Sequence, residues 1–230
     1  MKRLGIVTGL TKEATIARRA VSPDGAPAPI IHCAGPGPDR AGRAARALLA
    51  EGADALLSFG VAGGLDPNQR PGTVVVAERV IVPDGSALDC DAKWRDQVLS
   101  SQLAEVTMVS ASIASSVQPL RLAVDKTALF ETTNAAAVDM ESFVVARVAH
   151  KTGIPFLALR AIADPASRAV PEAALRALST DGRILPFAAL AVLVMSPADL
   201  VTLALLARDG RTAFAALRRV ALLVPGFGLV

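Results

Sequence analysis

Short β-branched runs alternate along this chain with Ala-, Leu- and Arg-rich stretches of helical period, and this alternation constrains the fold more than any other feature. The first half reads LGIVTGL, APIIHCAG, the helix-like DRAGRAARALLAEGA, ALLSFGVAGG and GTVVVAERVIV. The second half continues with a strand-like EVTMVSASIA, a short helix in VDKTALFETT, a turn leading into a longer helix in AVDMESFVVARVAHKTG, and a central strand in PFLALRAIAD. Such alternation predicts an α/β sheet with helices on its faces.

The pattern predicts one α/β domain over residues 1–183 and an apolar helical extension over residues 184–230. Gly153 stands where a helix C-cap is expected, and STDGR, residues 179–183, is the clear break. The extension is rich in Leu, Ala and Val, and two or three helices fit it. Its longest apolar run, Ile184–Met195, is shorter than the roughly 20 residues that span a bilayer.

Two interpretations of this extension stay open. In one, its helices complete the core or a subunit interface. In the other, its apolar surface dips into lipid while nearby arginines meet anionic head groups. Those arginines are Arg208, Arg211, Arg218 and Arg219.

Composition argues against several classes of function. The net charge is only +3, and with no Tyr and one Trp the chain has little with which to track or stack a nucleic acid. The two cysteines and two histidines have no metal-ligand spacing and form no disulfide framework, so we expect no metal, no cofactor and a reducing, cytoplasmic location. A nucleophile pair of His32 and Cys33 is disfavoured because adjacent residues of a strand point to opposite faces. The N-terminus reads as a first strand rather than a signal peptide.

Three carboxylates are predicted to follow strands, beside a glycine-rich turn. SFGVAGGLDP places the turn 60–64 beyond an apolar strand, where open α/β sheets hold ligands, although such a turn can need glycine for backbone geometry alone. Asp164 ends a predicted central strand, Glu141 begins a predicted helix, and Glu13 follows the first strand. Each also has a structural alternative, Asp164 as a helix cap and the two glutamates as members of a first helical turn.

Carboxylates at three strand exits suit a reaction that develops positive charge and must protonate its leaving group. Glycosidic bond cleavage has both needs, because carboxylates stabilise its oxocarbenium-like transition state while one acid donates a proton and one base orients the nucleophile. The chain contains neither GxGxxG in its glycine turns nor a Walker-type GK[ST], which argues against an ATPase.

Three segments carry a family resemblance: SFGVAGGLDPNQRPGTVVVAERV, AVDMES and LRAIADPA. In this order they resemble the nucleoside phosphorylase and nucleosidase superfamily, which includes methylthioadenosine/adenosylhomocysteine nucleosidase. The resemblance covers about residues 3–180 and implies a single three-layer domain with a central mixed β-sheet flanked by helices. With GIVTGLTKEA and the Leu/Arg-rich tail, the chain is more closely similar to the bacterial hopanoid-associated phosphorylases, which are implicated in removing adenine from adenosylhopane.

The resemblance implies a role for each carboxylate. Asp164 would be the general acid that delivers a proton to purine N7, for which its carboxyl must be protonated or share a proton. Glu141 would accept the ribose hydroxyls, Glu13 would position an attacking water, and Asp139 would order the turn. Further substrate contacts are implied for Met140, Val61, Ala62, Gly63 and Ala163.

The chain departs from the family pattern at three places. Ala163 stands where the nucleosidases usually have a serine, so one hydrogen bond that would orient Asp164 is missing. Val61 replaces a small polar residue, and the usual SGD segment reads SAS at Ser110–Ser112. These departures concern the purine contacts more than the sugar contacts.

The nucleophile is left open between water and inorganic phosphate, the one co-substrate implied. The N-terminal loop lacks the Gly-Asp-Pro and following Arg of the phosphorylases and carries Glu13, as the hydrolases do. The closer resemblance nevertheless points to phosphate, for which Gly9 and Arg40 are the candidate ligands, with Arg18 as a further cation. A dianion beside Glu13 would need such a cation to offset repulsion.

The implied substrate is a purine nucleoside with a lipid 5′ substituent. The extension would then wall the site or make peripheral contact at the inner membrane face, and the family resemblance implies a homo-oligomer. One alternative is a soluble methylthioadenosine/adenosylhomocysteine-type nucleosidase. Another is a catalytically weakened, nucleoside-binding scaffold, which Ala163 favours and the retained carboxylates disfavour.

Overall fold

The structure is a computed structural model of the chain. It describes residues 2–23, 25–101, 103–172, 174, 179, 182 and 200–229. The predicted boundary between residues 183 and 184 and the run Ile184–Met195 lie outside the described residues. The division into two units therefore stays a prediction.

The described strands form one mixed sheet of eight. They are β1 Leu4–Thr8, β2 Ile30–Cys33, β3 Ala55–Gly64, β4 Val74–Ile81, β5 Ala87–Asp89, β6 Met108–Ser115, β7 Ala137–Asp139 and β8 Phe156–Asp164. Parallel pairs join β1 to β2 and β3, β3 to β8, β4 to β6, and β6 to β7. Antiparallel pairs join β3 to β7 and β4 to both β5 and β8. Strands β3, β7, β6, β4 and β8 therefore pair in a closed circuit.

Helices lie on the two faces of this sheet. They are α1 Thr11–Ala17, α2 Pro38–Ala50, α3 Ala92–Ser100, α4 Ala123–Thr133, α5 Ser142–Thr152 and α6 Leu200–Leu223, with a 3₁₀ turn at Pro225–Gly228. Helices α2 and α5 contact each other, as do α1 and α6, while α5 and α6 both contact β3 and β8. The predicted three-layer α/β fold with a mixed central sheet is confirmed.

Most elements match the sequence-based prediction, and the differences are short. Gly153 adopts φ 68° at the C-terminus of α5, as predicted for a C-cap. The segment predicted as a turn before α5 contains the strand β7, because Ala137 and Val138 pair with both β3 and β6. The helices α1 and α3 and the strand β5 were not predicted as separate elements.

The C-terminal helix α6 belongs to the core. Beyond its end, Phe227 contacts Phe59 with ring centroids 5.1 Å apart, and its carbonyl accepts a hydrogen bond from Trp94 Nε1 at 2.7 Å. The packing interpretation of the extension therefore holds for this part of it. No helix among the described residues is long and apolar enough to cross a membrane. The buried side chains of α6 are Ala213, Ala216, Leu217, Val220 and Ala221.

The packing of α6 predicts a large difference between two of its leucines. Leu217 is fully buried, whereas Leu223 is 58% exposed. We expect Leu217→Ala to lower the free energy of unfolding by about 2–5 kcal/mol, because it removes buried methyl groups and leaves a cavity. Leu223→Ala should change it by less than about 0.5 kcal/mol. Urea unfolding of both variants tests this, and equal losses would contradict the packing of α6.

Candidate active site

A cleft of about 220 Å³ lies beside the ends of β1, β3, β7 and β8. Since β1, β3 and β8 are mutually parallel neighbours, their carboxyl ends meet at this edge of the sheet, where α/β folds bind ligands. Nine of the residues predicted for the site line it: Gly9, Glu13, Val61, Ala62, Gly63, Met140, Glu141, Ala163 and Asp164.

Glu13 is held by the backbone at the floor of this cleft. Its Oε2 accepts hydrogen bonds from the amides of Gly9 at 2.9 Å and Leu10 at 2.8 Å, and its Oε1 accepts one from the amide of Val61 at 2.8 Å. Burial raises the pKa of Glu13 to about 7, although Arg160 and the backbone amides favour the charged form. Glu13 is therefore a fixed carboxylate that can accept a proton near neutral pH.

The glycine at position 60 is required by this arrangement. A Cβ built on Gly60 would collide with the carboxyl group of Glu13 and with the guanidinium group of Arg160. The close approach of the β3 backbone therefore lets one carboxylate and one cation meet at the floor of the cleft.

Arg160 is the buried cation of the site, on β8. Its Nε lies 2.6 Å from Asp139 Oδ2, and its Nη2 lies 3.7 Å from Glu141 Oε2. Its Nη2 also donates to the hydroxyl of Ser58 at 2.7 Å. The positive charge of one guanidinium group thus offsets the negative charges of several carboxylates, which would otherwise repel one another in this buried space.

Asp139 and Glu141 have different partners on the segment that enters α5. Asp139 accepts a hydrogen bond from the amide of Ser142 and a second from its hydroxyl, which confirms that it orders this turn. Glu141 Oε1 accepts a bond from the amide of Gly37 at 2.9 Å and borders the cleft. Burial raises the pKa of Glu141, and Arg160 opposes this shift.

Asp164 is the last residue of β8 and forms an ion pair with Lys126 of α4. Burial raises the pKa of Asp164, and the positive charge of Lys126 acts in the opposite direction. The side chain of Asp164 remains 15% exposed, at the cleft. A carboxyl group whose pKa is raised by burial keeps its proton at higher pH than an exposed carboxyl does, as a proton donor requires.

Two candidates from the sequence lie elsewhere in the described structure. Arg40 and Arg18 line an open depression beside His32 and Cys33, and neither is among the cleft-lining residues. His32 pairs there with Glu51 at 3.0 Å. The role of Arg40 in binding phosphate stays a prediction.

Sequence analysis missed Arg160 and Lys126. A signal for Arg160 was available, because it is the single charge inside the apolar strand FLALRAIA and must be paired when buried. Lys126 lies in VDKTALFETT, which reads as a polar surface helix and gives no comparable signal. In the described part of the chain, no group of three or more His, Cys, Asp or Glu residues is arranged to hold a metal ion.

The sequence of the chain matches a known protein superfamily. Residues 20–182 match the phosphorylase superfamily. The chain belongs to this superfamily. A 5′-methylthioadenosine/S-adenosylhomocysteine nucleosidase of Marinomonas sp. (strain MWYL1) is 28% identical over 139 residues, which are 51% of this chain and 59% of that protein. The chain thus aligns with little more than half the length of this relative.

Solved structures share the fold of this superfamily member. The Campylobacter jejuni methylthioadenosine/adenosylhomocysteine nucleosidase superposes with a TM-score of 0.66 at 19% identity, covering 84% of this chain and 96% of that one. The futalosine hydrolase of Helicobacter pylori superposes with a TM-score of 0.68 at 19% identity, covering 94% and 96%. At this identity the likeness supports the fold alone.

Proposed function

We propose that this protein cleaves the N-glycosidic bond of a purine nucleoside by hydrolysis. The observation that carries the proposal is the convergence of Glu13, Glu141 and Asp164 on one cleft of about 220 Å³, from three different elements. Glycosidic cleavage needs a proton donor for the leaving group, a base for the nucleophile and negative charge near the sugar. The names of the methylthioadenosine/adenosylhomocysteine nucleosidases and the futalosine hydrolase agree with this reaction class.

Each carboxylate has an environment suited to one role. Asp164, partly exposed to the cleft, would protonate purine N7 so that the base leaves neutral. Glu141, with Met140 beside it, would accept the ribose hydroxyls. Glu13, fixed by three backbone amides, would orient and deprotonate the nucleophile. Val61, Ala62, Gly63 and Ala163 would form the wall around the nucleoside.

Electrostatics favours water over phosphate as the nucleophile. Arg160 is the one cation among the described cleft-lining residues, and Asp139 and Glu141 already engage it. The amide of Gly9, a candidate phosphate ligand, already donates to Glu13. A phosphate dianion would therefore meet buried carboxylates with little positive charge to offset the repulsion.

The finer proposal is that the substrate is adenosylhopane, so that the products are adenine and ribosylhopane in the synthesis of bacteriohopanepolyols. The cleft is lined in part by Leu10, Pro36, Pro119, Leu120 and Val170. Close to Pro119 and Leu120 along the chain, Val117, Leu122 and Val124 are 61%, 51% and 67% exposed. Exposed apolar side chains beside a polar cleft suit a substrate whose 5′ carbon continues into a hydrocarbon.

Adenine release tests both levels of the proposal. Adenosylhopane in detergent micelles and methylthioadenosine in buffer would be incubated with the protein, with and without phosphate, and the sugar product identified by mass. We expect adenine from both substrates, a higher kcat/KM for adenosylhopane, and a free ribosyl product at a rate that phosphate does not change. A phosphoribosyl product would contradict hydrolysis, and a preference for methylthioadenosine would favour the soluble nucleosidase.

The alternative without catalytic activity is a nucleoside-binding scaffold. It would bind adenosine in calorimetry yet release no adenine from any substrate in this assay. Formation of a homo-oligomer is a separate prediction, measured by light scattering during gel filtration.

A further inference from the structure

Helix α4 is unusual in what it buries. Lys126 is fully buried. All eleven residues of this helix are described, and Lys126 is the only buried one among them. A helix that merely covers the sheet would bury apolar side chains, because burial strips an ammonium group of its hydration and this cost is offset only when its donors are bonded. The position of Lys126 therefore calls for a reason other than packing.

All three N–H donors of Lys126 have acceptors around Asp164. The ammonium group contacts Asp164 Oδ2 and donates to the carbonyls of Pro165 and Arg168, each at 3.1 Å. Lys126 does not line the cleft, so it meets Asp164 from behind. These hydrogen bonds join the segment after β8 to α4, next to the proposed general acid.

The other oxygen of Asp164 is left for the cleft. Within the described structure, Oδ2 is bonded to Lys126, and Oδ1 has no hydrogen-bond partner. The neighbouring Ala163 carries a methyl group and can offer no side-chain donor to the carboxyl. Lys126 therefore supplies the side-chain hydrogen bond that fixes the orientation of this carboxyl.

We infer that Lys126 is a positioning residue for the proton donor: it holds Oδ2 of Asp164 and directs Oδ1 into the cleft. The inference rests on the proposed function. It adds a group on α4, behind the cleft wall, to the residues that determine the rate of glycosidic cleavage. Loss of the charge should leave the carboxyl both less well oriented and a weaker acid.

The test compares Lys126→Met, which preserves the apolar stem, with Lys93→Met as the matched control. Lys93 is exposed on α3. In Lys126→Met we expect kcat for adenine release to fall about 10- to 100-fold while KM changes less than about threefold. The descending limb of the pH–rate profile should move upward by about one pH unit or more, because the carboxyl loses its cationic partner. Lys93→Met should match wild type in both readouts.

A double-variant cycle separates positioning from a general loss of structure. In an Asp164→Asn background, Lys126→Met should cause little further loss, because the group on which Lys126 acts is gone. Equal losses in both backgrounds, or a rate loss without movement of the pH limb, would overturn the inference and leave Lys126 a structural residue.

A readout without turnover distinguishes this inference from the proposed function. The ¹³C carboxyl resonance of Asp164 should titrate at higher pH in Lys126→Met than in wild type. An unchanged titration would overturn the inference even if adenine is released normally. If wild type releases no adenine from any nucleoside, the proposed function fails, and the rate-determining role of Lys126 fails with it whatever the titration gives.

Discussion

Asp164→Asn should lower kcat for adenine release by about 10²- to 10⁴-fold, the range typical of losing a general acid. The amide keeps the size of the side chain and an oxygen that can accept a bond from Lys126, so the fold should survive. What it loses is the acidic proton for purine N7, without which the base must leave as an anion. The measurement is steady-state adenine release, with thermal unfolding as the check on folding.

A substrate that needs no proton makes this prediction specific. p-Nitrophenyl β-riboside releases a phenolate that is stable without protonation, so Asp164→Asn should slow its hydrolysis far less than that of the purine nucleoside. Glu13→Gln is the matched comparison, because the nucleophile must be oriented for both substrates, and it should slow both. If Asp164→Asn slowed both substrates equally, Asp164 would act by shaping the cleft and would not be the proton donor.

Much of the fold follows from the periodicity of the sequence. Runs such as ALLSFGVAGG carry no charge and a single polar side chain, Ser58, as expected of strands covered on both faces, and the helix DRAGRAARALLAEGA is bounded by glycines. The strand β7 could not be read in this way, because three residues are too few to carry a period and their pairing depends on partners far along the chain. Pairing of β8 with both β3 and β4 is likewise a long-range contact.

The carboxylates of the candidate site were predictable for a different reason. Asp164 ends an apolar run, Glu141 and Glu13 follow theirs after a few residues, and the carboxyl ends of the parallel strands β1, β3 and β8 meet at one edge. The basic residues that pair with these carboxylates were harder to predict from the sequence. Arg40 was a candidate because a phosphate beside Glu13 would need a cation, yet it lines another depression, whereas Lys126 comes from a helix with no buried apolar stripe.

The second large effect expected is on stability. Arg160→Met should lower the free energy of unfolding by about 3–5 kcal/mol at neutral pH, because it leaves buried carboxylates without their cation. Arg160 and Asp139 are each only 2% exposed at the side chain, so water cannot replace the lost contacts. Urea unfolding measures the loss, and Arg46→Met, at an exposed position of α2, should stay within about 0.5 kcal/mol of wild type.

The loss in Arg160→Met should also depend on pH, with a definite sign. Burial raises the pKa of Glu13 from 4.5 to about 7 and raises that of Glu141, while Arg160 lowers both. Without Arg160 the folded protein binds still more protons than the unfolded chain above about pH 4.5, so its free energy of unfolding falls as pH rises. Unfolding at pH 5 and pH 8 should therefore give the smaller deficit at pH 5, where Glu13 is protonated and needs no cation. An equal deficit at both values would mean that Arg160 stabilises the fold by packing and by its bond to Ser58, with its charge contributing little.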